Sequence, residues 1–528
     1  MKRLNTLLIC ICVGINVSFA QTIGNISLDN FSNNNIEREN INKKSYDSLM
    51  HTAIRPYRLD EIKNKDAEYI GLTGSKLFDT KSGQQLKYLQ SVQNILPVIY
   101  TSVGFNQNSK LNNLFIGGFQ LNKSIEGKKN KNQKVFLSLT VIGSSTQPMN
   151  YVDSLVKSTG VVPGFGHAYK SDNGYSFQNI SGYLSYSPNK VFNFQIGRDK
   201  HFWGDGYRSL FLSDYSNNYF FGKISTTVWH IKYVNLYALH KDLTQSNGIK
   251  NNDQNKFATF HYLSWNVSKR FNVGIFESIV WQGKDSTRNR TFDANYLNPV
   301  IFFRPAEYSL GSSDNAFLGM SFKWNMWKKN SMYGQVLLDE FLLKEVKART
   351  GWWANKQAVQ LGLKFYDLFK VKHLFLQGEM NYVRPYTYSH GTSQQNYGNY
   401  NLPLAHPLGA NFAELIGIIN YSHNNWRFEA EGMYAVCGKD SSSISYGKNI
   451  FISYFKRASD YGNYTTQGLK TNLLFASMNV SYLLIPSMNL RAEIGAIARV
   501  EDNTKQTLKT ATVFLSLKTS LFNMYYDY

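Results

Sequence analysis

Cysteine is all but missing from this chain. Three occur in 528 residues, and two of them, Cys10 and Cys12, fall within the first twenty. Those twenty residues read as a leader: Lys2 and Arg3, an apolar run from Leu7 to Val17, then Ser18-Phe19-Ala20 before Gln21. A positive end, an apolar core of about ten residues and a small-x-small site make a secretory signal peptide, too short to span a membrane. The mature chain is expected to start at Gln21 and to be exported. Ile9 precedes Cys10 where a lipoprotein signal needs a small residue, so no lipid anchor is predicted. Cys437 is then alone, which excludes an internal disulfide and a thiolate zinc site.

Long apolar runs are lacking too. Nothing after the leader approaches the roughly 20 apolar residues of a membrane helix, so a helical membrane protein is excluded. Acids are short as well, 36 against 57 Lys and Arg, for a formal charge of +21 that falls by two once Lys2 and Arg3 leave with the signal. A basic chain can bind nucleic acid, but export argues against that partner. An anionic polymer outside the cytoplasm, such as acidic polysaccharide or lipopolysaccharide, fits both charge and address. The plainer reading is a dispersed solubilising charge.

What the chain has is aromatic residues, 15% of the total with 35 Tyr and 35 Phe, against only 11 Pro. That is a strand-rich composition. From about residue 90 the sequence alternates. In GYLSYSPNKVFNFQIG, residues 182 to 197, Leu184 and Tyr186 alternate with serines, a turn follows at Pro188 and Asn189, and Phe192, Phe194 and Ile196 alternate with Asn193 and Gln195. The same hairpin pattern returns in LSWNVSKRFNVGIF, SFKWNMWKKNSMYGQVLL, INYSHNNWRFEAEGMY and VSYLLIPSMNLRAEIGA.

A soluble sandwich and a transmembrane barrel both alternate in this way; loop lengths separate them. Short turns fall near residues 188, 269, 328, 368, 424 and 486. Long connections cover roughly 200 to 218, 241 to 257, 282 to 315, 342 to 356, 382 to 412 and 437 to 467. Short turns on one side and long loops on the other mark an outer-membrane barrel. The expected fold is all-β: a transmembrane antiparallel barrel of about eighteen strands, sixteen as the fallback. The domains are a signal peptide over 1–20, a periplasmic N-terminal segment over 21–90 and the barrel over 91–528. The ending TVFLSLKTSLFNMYYDY places Val513, Leu515, Leu517 and Leu521 on one face, with the aromatic end of an assembly signal at Tyr528 and a change of face between Leu521 and Tyr526. Residues 21–90 are asparagine- and charge-rich; Tyr46 to Met50 is read as opening one or two short helices of a cap or plug, and 21–44 has the alternative of a partly disordered export tail.

Three polar segments collect on the long-loop side: FQIGRDKHFWGDGYRSLFLSD at 194–214, FDANYLNPVIFFRPAEYSLGSSDNA at 292–316, and YVRPYTYSHGTSQQNYGNYNLPLAHPLGANFAE at 382–414. Such grouped loops suit a shared plug or binding surface. GRDKHFWGDGYRSLFLSD resembles the Gly-Arg-x-x-x-x-Trp-Gly-x-Gly-x-x-Ser-Leu-x-Leu-Ser pattern of the capsule-assembly Wzi-like outer-membrane proteins. YLNPVIFFRPAEYSLGSSDNAFLG, YNLPLAHPLGANFAE and LFNMYYDY are similar to the family's Bacteroidetes branch, which includes gliding-motility RemB-like proteins. The resemblance runs from about residue 45 to the end. It implies an eighteen-stranded barrel with periplasmic helical material that binds surface polysaccharide, or, in the gliding branch, an anchor that binds envelope proteins. The short N-terminal segment departs from the capsule members' helical bundle.

The candidate ligand-binding residues are Arg198, Asp199, His201, Trp203, Asp205, Tyr207, Arg208, Arg304, Glu307 and Asp314. Charged members suit acidic sugars or sugar hydroxyls, and Trp203 and Tyr207 offer faces for stacking. The competing reading is a salt-bridged lumen network, because charges buried in a barrel must pair. His201, His390 and His406 lack a metal-ligand spacing, so neither metal nor cofactor is expected. Ser209 near His201 and Asp205 lacks a nucleophile elbow, so no enzyme is expected. Three functions are open: non-catalytic polysaccharide binding or assembly, an adhesion or gliding anchor, and a passive porin. The expected partners are outer-membrane lipid, acidic surface polysaccharide and other envelope proteins.

Overall fold

A computed structural model describes residues 25, 28–41, 49–58, 61, 95–107, 110–127, 133–246, 248–283, 293–299, 314–327, 329–485, 488–519 and 522–528. The leader, the helix start at Tyr46, and Arg304 and Glu307 lie outside them.

Eighteen strands close one antiparallel barrel in chain order. They are β1 (Ile95–Asn106), β2 (Leu111–Glu126), β3 (Lys134–Gln147), β4 (Gly174–Ser187), β5 (Phe192–Asp199) and β6 (Tyr219–Val228). Next come β7 (Ile231–Asp242), β8 (Gln254–Asn266), β9 (Phe271–Gln282), β10 (Asn315–Trp327), β11 (Asn330–Leu338) and β12 (Gln357–Tyr366). The last are β13 (Leu374–Val383), β14 (Phe412–His423), β15 (Trp426–Lys439), β16 (Leu469–Ile485), β17 (Leu490–Asn503) and β18 (Thr507–Lys518). Closure joins β18 to β1, with Tyr100 opposite Lys518 and Asn106 opposite Thr512.

Alternation here is inverted relative to a soluble protein. On β5 Ile196 is 65% exposed while its neighbour Gln195 is 4% exposed, and on β18 Leu515 is exposed while Thr512 and Ser516 are buried. An apolar exterior around a polar interior is what a strand needs when lipid lies outside. Exposed aromatics sit at the short-turn ends, Trp229, Trp265, Trp324, Trp327 and Trp426, as an interfacial girdle. The short-turn end is the periplasmic end of such a barrel. All six expected short turns are found between strands. Two further tight turns, between β1 and β2 and between β17 and β18, lie on the long-loop side, so loop asymmetry fails only around the closing strands.

The N-terminal segment and the chain end both enter the barrel. Helix α1 (Asn30–Ile41) is asparagine-rich and lies in the stretch for which a disordered tail was the alternative; its intrinsic helix propensity is modest. It is started by Asp29, whose carboxylate accepts from the Ser32 backbone N–H at 2.9 Å and its hydroxyl at 2.7 Å. Phe31, Ile36, Glu37 and Arg38 are all buried, so barrel contacts on several faces hold the helix. At the other end the last strand stops at Lys518, and residues 522–528 are not a strand. Tyr528 therefore does not end β18. The tail folds back inside: Tyr151 donates to the Tyr526 carbonyl at 2.8 Å and Arg499 to the Tyr528 carbonyl at 2.9 Å. The MYYDY sequence has no period-two face to offer lipid, but it has tyrosine rings and hydroxyls that suit a polar lumen.

Candidate functional site

Residues 200–218, between β5 and β6, do not stay at the rim. They drop into the lumen, where Phe202–Trp203 pair antiparallel with Ile54–Arg55 of the N-terminal segment. Two glycines permit the approach. A Cβ on Gly204 would lie 2.6 Å from Gln335 Nε2, and one on Gly206 would lie 2.6 Å from both the Arg208 carbonyl oxygen and Glu379 Oε2. A loop buried in a barrel loses water as a partner for its backbone, so the strands must supply one. Gln335 accepts from the Leu210 N–H at 2.7 Å and donates to the Trp203 carbonyl at 3.1 Å. Gln360 donates to the Arg208 carbonyl at 3.0 Å, and Glu379 accepts from the N–H groups of Tyr207 and Arg208 at 2.8 and 3.0 Å.

The described candidate residues do not gather at one place. Trp203, Asp205, Tyr207 and Arg208 meet at the lumen centre. Trp203 is 0% exposed and packs among Phe260, Tyr262 and Phe276 at 5.7–6.2 Å between ring centroids. Asp205 accepts from Thr52 at 2.6 Å and from Lys323 at 3.1 Å. Tyr207 stands edge-on to Tyr525 at 5.8 Å. Arg208 donates to the Asp527 carboxylate at 2.6 Å and to Glu414 at 3.2 Å. Higher on the inner wall, His201 lies 3.1 Å from the Tyr219 hydroxyl, and burial with Lys223 nearby holds its imidazole well below the usual range. Asp199 accepts from the Lys200 N–H at 2.9 Å.

Arg198 and Asp314 lie elsewhere. Arg198 shares the outward parity of Phe194 and Ile196, donates to the Ile180 carbonyl and sits 6.0 Å over the Phe220 ring. Asp314 accepts from Tyr296 at 2.8 Å. Ser209 is engaged in a turn, donating to the Trp203 carbonyl and accepting from the N–H groups of Phe211 and Leu212. His406 is 2.7 Å from Glu414.

Several members of the network have no motif in the sequence. Glu37 of α1 is the hub of a second cluster, taking Lys364 at 2.8 Å, Lys323 at 3.0 Å and the Tyr366 hydroxyl at 3.2 Å. Burial pushes the Glu37 carboxyl up, but Lys323, Lys364 and Arg55 outweigh it and hold the group at about 2. Lys323, Lys364, Glu379 and Glu414 could have been found from the parity of their strands, as single charges on the polar face. Three parts of the chain thus meet in the lumen: residues 28–41 and 49–58 from the periplasmic end, 200–218 from the outer end, and 522–528 after the last strand. Asp214 ties the last two, accepting from Tyr525 at 2.6 Å and Asn523 at 2.9 Å. Tyr525→Phe is expected to cost about 1.5–3 kcal/mol, the range for a hydrogen bond to a charged group; urea titration in detergent with tyrosine and tryptophan fluorescence would measure it.

The outer face has a different chemistry. The loop between β11 and β12, with helix α3 (Leu343–Ala348, where α2 is Asn150–Thr159), is joined to the loop between β15 and β16. The Trp353 N–H donates to the Asp460 carbonyl, Gly462 to Thr350 and Asn463 to Gly351, each at 2.9 Å. Trp353 lies 4.7 Å from Tyr454 and carries the Arg457 guanidinium 4.4 Å over its ring. Phe455 is 73% exposed, and Tyr461 and Tyr464 are also exposed, beside exposed Lys344, Lys347, Arg349 and Lys456.

No protein-family model matches the chain, and no curated protein does. Among solved structures it is similar to Wzi of Escherichia coli, an outer-membrane protein involved in group 1 capsule assembly and a carbohydrate-binding β-barrel. That likeness has 13% identity and a TM-score of 0.56, covering 93% of this chain and 99% of that one. OprD of Pseudomonas aeruginosa is a looser likeness, with 8% identity and a TM-score of 0.44 over 80% of this chain and 94% of its own. At such identities the likeness is one of fold. The chain is a closed eighteen-stranded β-barrel of the bacterial outer membrane.

Proposed function

We propose that this barrel holds or assembles anionic surface polysaccharide at the outer membrane, without catalysis. The observation that carries the reading is the contrast between lumen and outer face. In the lumen centre Glu37, Asp205, Glu414 and Asp527 are paired with Arg208, Lys323 and Lys364 by segments of the same chain, whereas the outer loops leave flat aromatic rings and cations facing solvent. Carbohydrate recognition uses that combination, with rings for the apolar faces of sugars and cations for their carboxylates. In this reading Trp203, Asp205, Tyr207 and Arg208 form the plug, and the contacts are made by Phe455, Tyr461, Tyr464 and the exposed Lys456, with Arg304 and Glu307 as further candidates. The Wzi fold and that protein's carbohydrate binding support it. Against a passive porin stands the traffic of three segments through the lumen centre.

Binding of the detergent-purified barrel to an array of acidic glycans tests the proposal, beside a Phe455→Ser, Tyr461→Ser, Tyr464→Ser variant that keeps heat-modifiable migration. Each stacking contact is worth about 1 kcal/mol, so the triple variant is expected to bind roughly a hundredfold more weakly. A second reading, an anchor for an adhesion or gliding apparatus, is favoured by one observation: α3 and its approach expose Phe341, Leu342, Leu343 and Val346 together. Exposed apolar clusters suit a protein partner. Absence of glycan binding by either form would move the assignment there.

A further inference from the structure

On one side the outer mouth carries no long loop. The tight outer turns between β1 and β2 and between β17 and β18 stand over the wall of β17, β18, β1 and β2. Inside the lumen behind that wall lies a cavity of about 980 Å³, counting its open mouth. That is the upper end of the range for small-molecule sites, about 300–1,000 Å³. Helix α2 supplies one side through Val152 and Val156, one turn apart on its buried face. A second cavity, nearer the periplasmic ends of the strands, shares Tyr100, Ile497, Phe514, Asn523, Met524 and Tyr526 with the first. These residues form the partition between the two, and so the floor of the outer one.

Three polar side chains on the outer cavity's walls carry unused hydrogen-bonding capacity. Thr512 is 5% exposed, and its hydroxyl has no hydrogen-bond partner among the described residues; nor has the Asn112 amide nitrogen. The Lys200 ammonium donates to the Asp214 carbonyl at 3.0 Å, its one side-chain hydrogen bond among the described residues, out of three donors. Buried polar groups are normally satisfied, and leaving one unpaired is costly, so three around one space call for a polar guest. Asn112 lies opposite Gly104 of β1, and Gly104 lies opposite Phe514, two residues along β18 from Thr512. Glycine at that position leaves the space between the two polar groups open.

Charge decides the class of guest. Lys200 and Asp214 are the only charged side chains on the walls among the described residues, one of each sign, and Arg499 answers the chain end at Tyr528. An anion gains no net attraction there. Sugar hydroxyls, in contrast, can accept from Lys200, Asn112 and Thr512. The rest of the wall is apolar or aromatic: Tyr215 stands 5.7 Å from Tyr528 and 6.2 Å from Tyr525, with Met149 and Phe165 also lining the space. Rings beside amides and hydroxyls suit the apolar face and polar rim of a pyranose. We infer that this cavity binds one uncharged sugar unit, entering end-on from outside. The inference rests on the polysaccharide reading above and deepens it: the outer loops hold the anionic length of a chain, and the cavity takes a neutral residue at its end or at a branch.

Saturation-transfer NMR of the detergent-purified full chain tests this, with the methyl glycosides of glucose, galactose, mannose, fucose and rhamnose as probes and methyl glucuronide as the charged control. Saturation of at least one neutral glycoside is expected, with a weaker signal from the glucuronide. Thr512→Val and Lys200→Met, each keeping heat-modifiable migration, should weaken binding of that glycoside at least about tenfold; if Lys200→Met loses the fold, Asn112→Leu takes its place. Thr512→Val removes a hydroxyl with no partner in the chain, so a merely structural role predicts unchanged binding. The Phe455→Ser, Tyr461→Ser, Tyr464→Ser variant should bind the glycoside as the wild type does. A chain that binds a glycoside but no acidic glycan keeps the cavity and loses the polysaccharide reading. No neutral glycoside bound, equal binding by wild type and variants, or a preference for the glucuronide overturns the inference.

Discussion

Replacing Arg208 with methionine is expected to destabilise the barrel by about 3–5 kcal/mol and to release the C-terminal tail, because it leaves buried carboxylates without their cation. Arg208, Glu414 and Asp527 are each almost fully buried. The guanidinium binds the Asp527 carboxylate through both Nη atoms, at 2.6 and 3.3 Å, and the Asp527 carbonyl at 2.9 Å. Glu414 would keep His406 at 2.7 Å and Asn381 at 2.9 Å. Asp527 would keep no cation from this set, so the tail is the part that should leave. Arg208→Lys should recover little, since one ammonium cannot reproduce the fork. Asp527→Asn in the Arg208→Met background should restore part of the loss, because it removes the uncompensated charge. Denaturant unfolding gives the energy, and carboxypeptidase digestion of the folded barrel reports the tail. A tail as resistant as wild type in Arg208→Met would show that Asp214 and the tyrosines hold it unaided.

Much of the scaffold was legible because membrane strands obey a local rule. Phe192, Phe194 and Ile196 had to share one face whatever lay inside, and the turns near residues 188, 269, 328, 368, 424 and 486 separate such faces. Destinations of loops are not local. Nothing in HFWGDGYRSLFLSD distinguishes a rim loop from one that descends to pair with Ile54–Arg55, because the choice depends on Gln335, Gln360 and Glu379 on distant strands. The tail was misplaced for a related reason. Tyr528 ends the chain as an aromatic assembly signal would, and only the parity slip before Tyr526 hinted that the strand had already stopped at Lys518. The outer aromatic face fell within two of the long loops, and Phe455, Tyr461 and Tyr464 carry no motif to single them out.

Acid should loosen the N-terminal plug, and Glu37→Gln should do so at neutral pH. Two groups of that segment set the window. Burial and Lys232 push the His51 imidazole from 6.5 down to about 3, against the pull of Glu61 and alongside the push of His230. Glu37 is held at about 2 rather than 4.5, because Lys323, Lys364 and Arg55 overcome its burial. Both folded values are depressed, so both groups stabilise the docked segment fully above their unfolded values. That contribution is lost as pH falls, first from about 6.5 toward 3 through His51 and then from 4.5 toward 2 through Glu37. Single barrels in a planar bilayer should therefore be silent at neutral pH and open in steps on acidification. In Glu37→Gln, Lys364 loses its 2.8 Å partner and Lys323 its 3.0 Å partner, Lys323 keeping only Asp205 of the 200–218 loop at 3.1 Å, so the variant loses both ion pairs by which Glu37 holds the segment. Removing one partner of a buried pair costs about 3–5 kcal/mol, which raises the open fraction by roughly two to four orders of magnitude. A Glu37→Gln barrel that stays silent at neutral pH would mean that the loop at 200–218 and the tail block the lumen without help from α1. Deleting residues 522–528 in the same background would then decide which of those two is the plug.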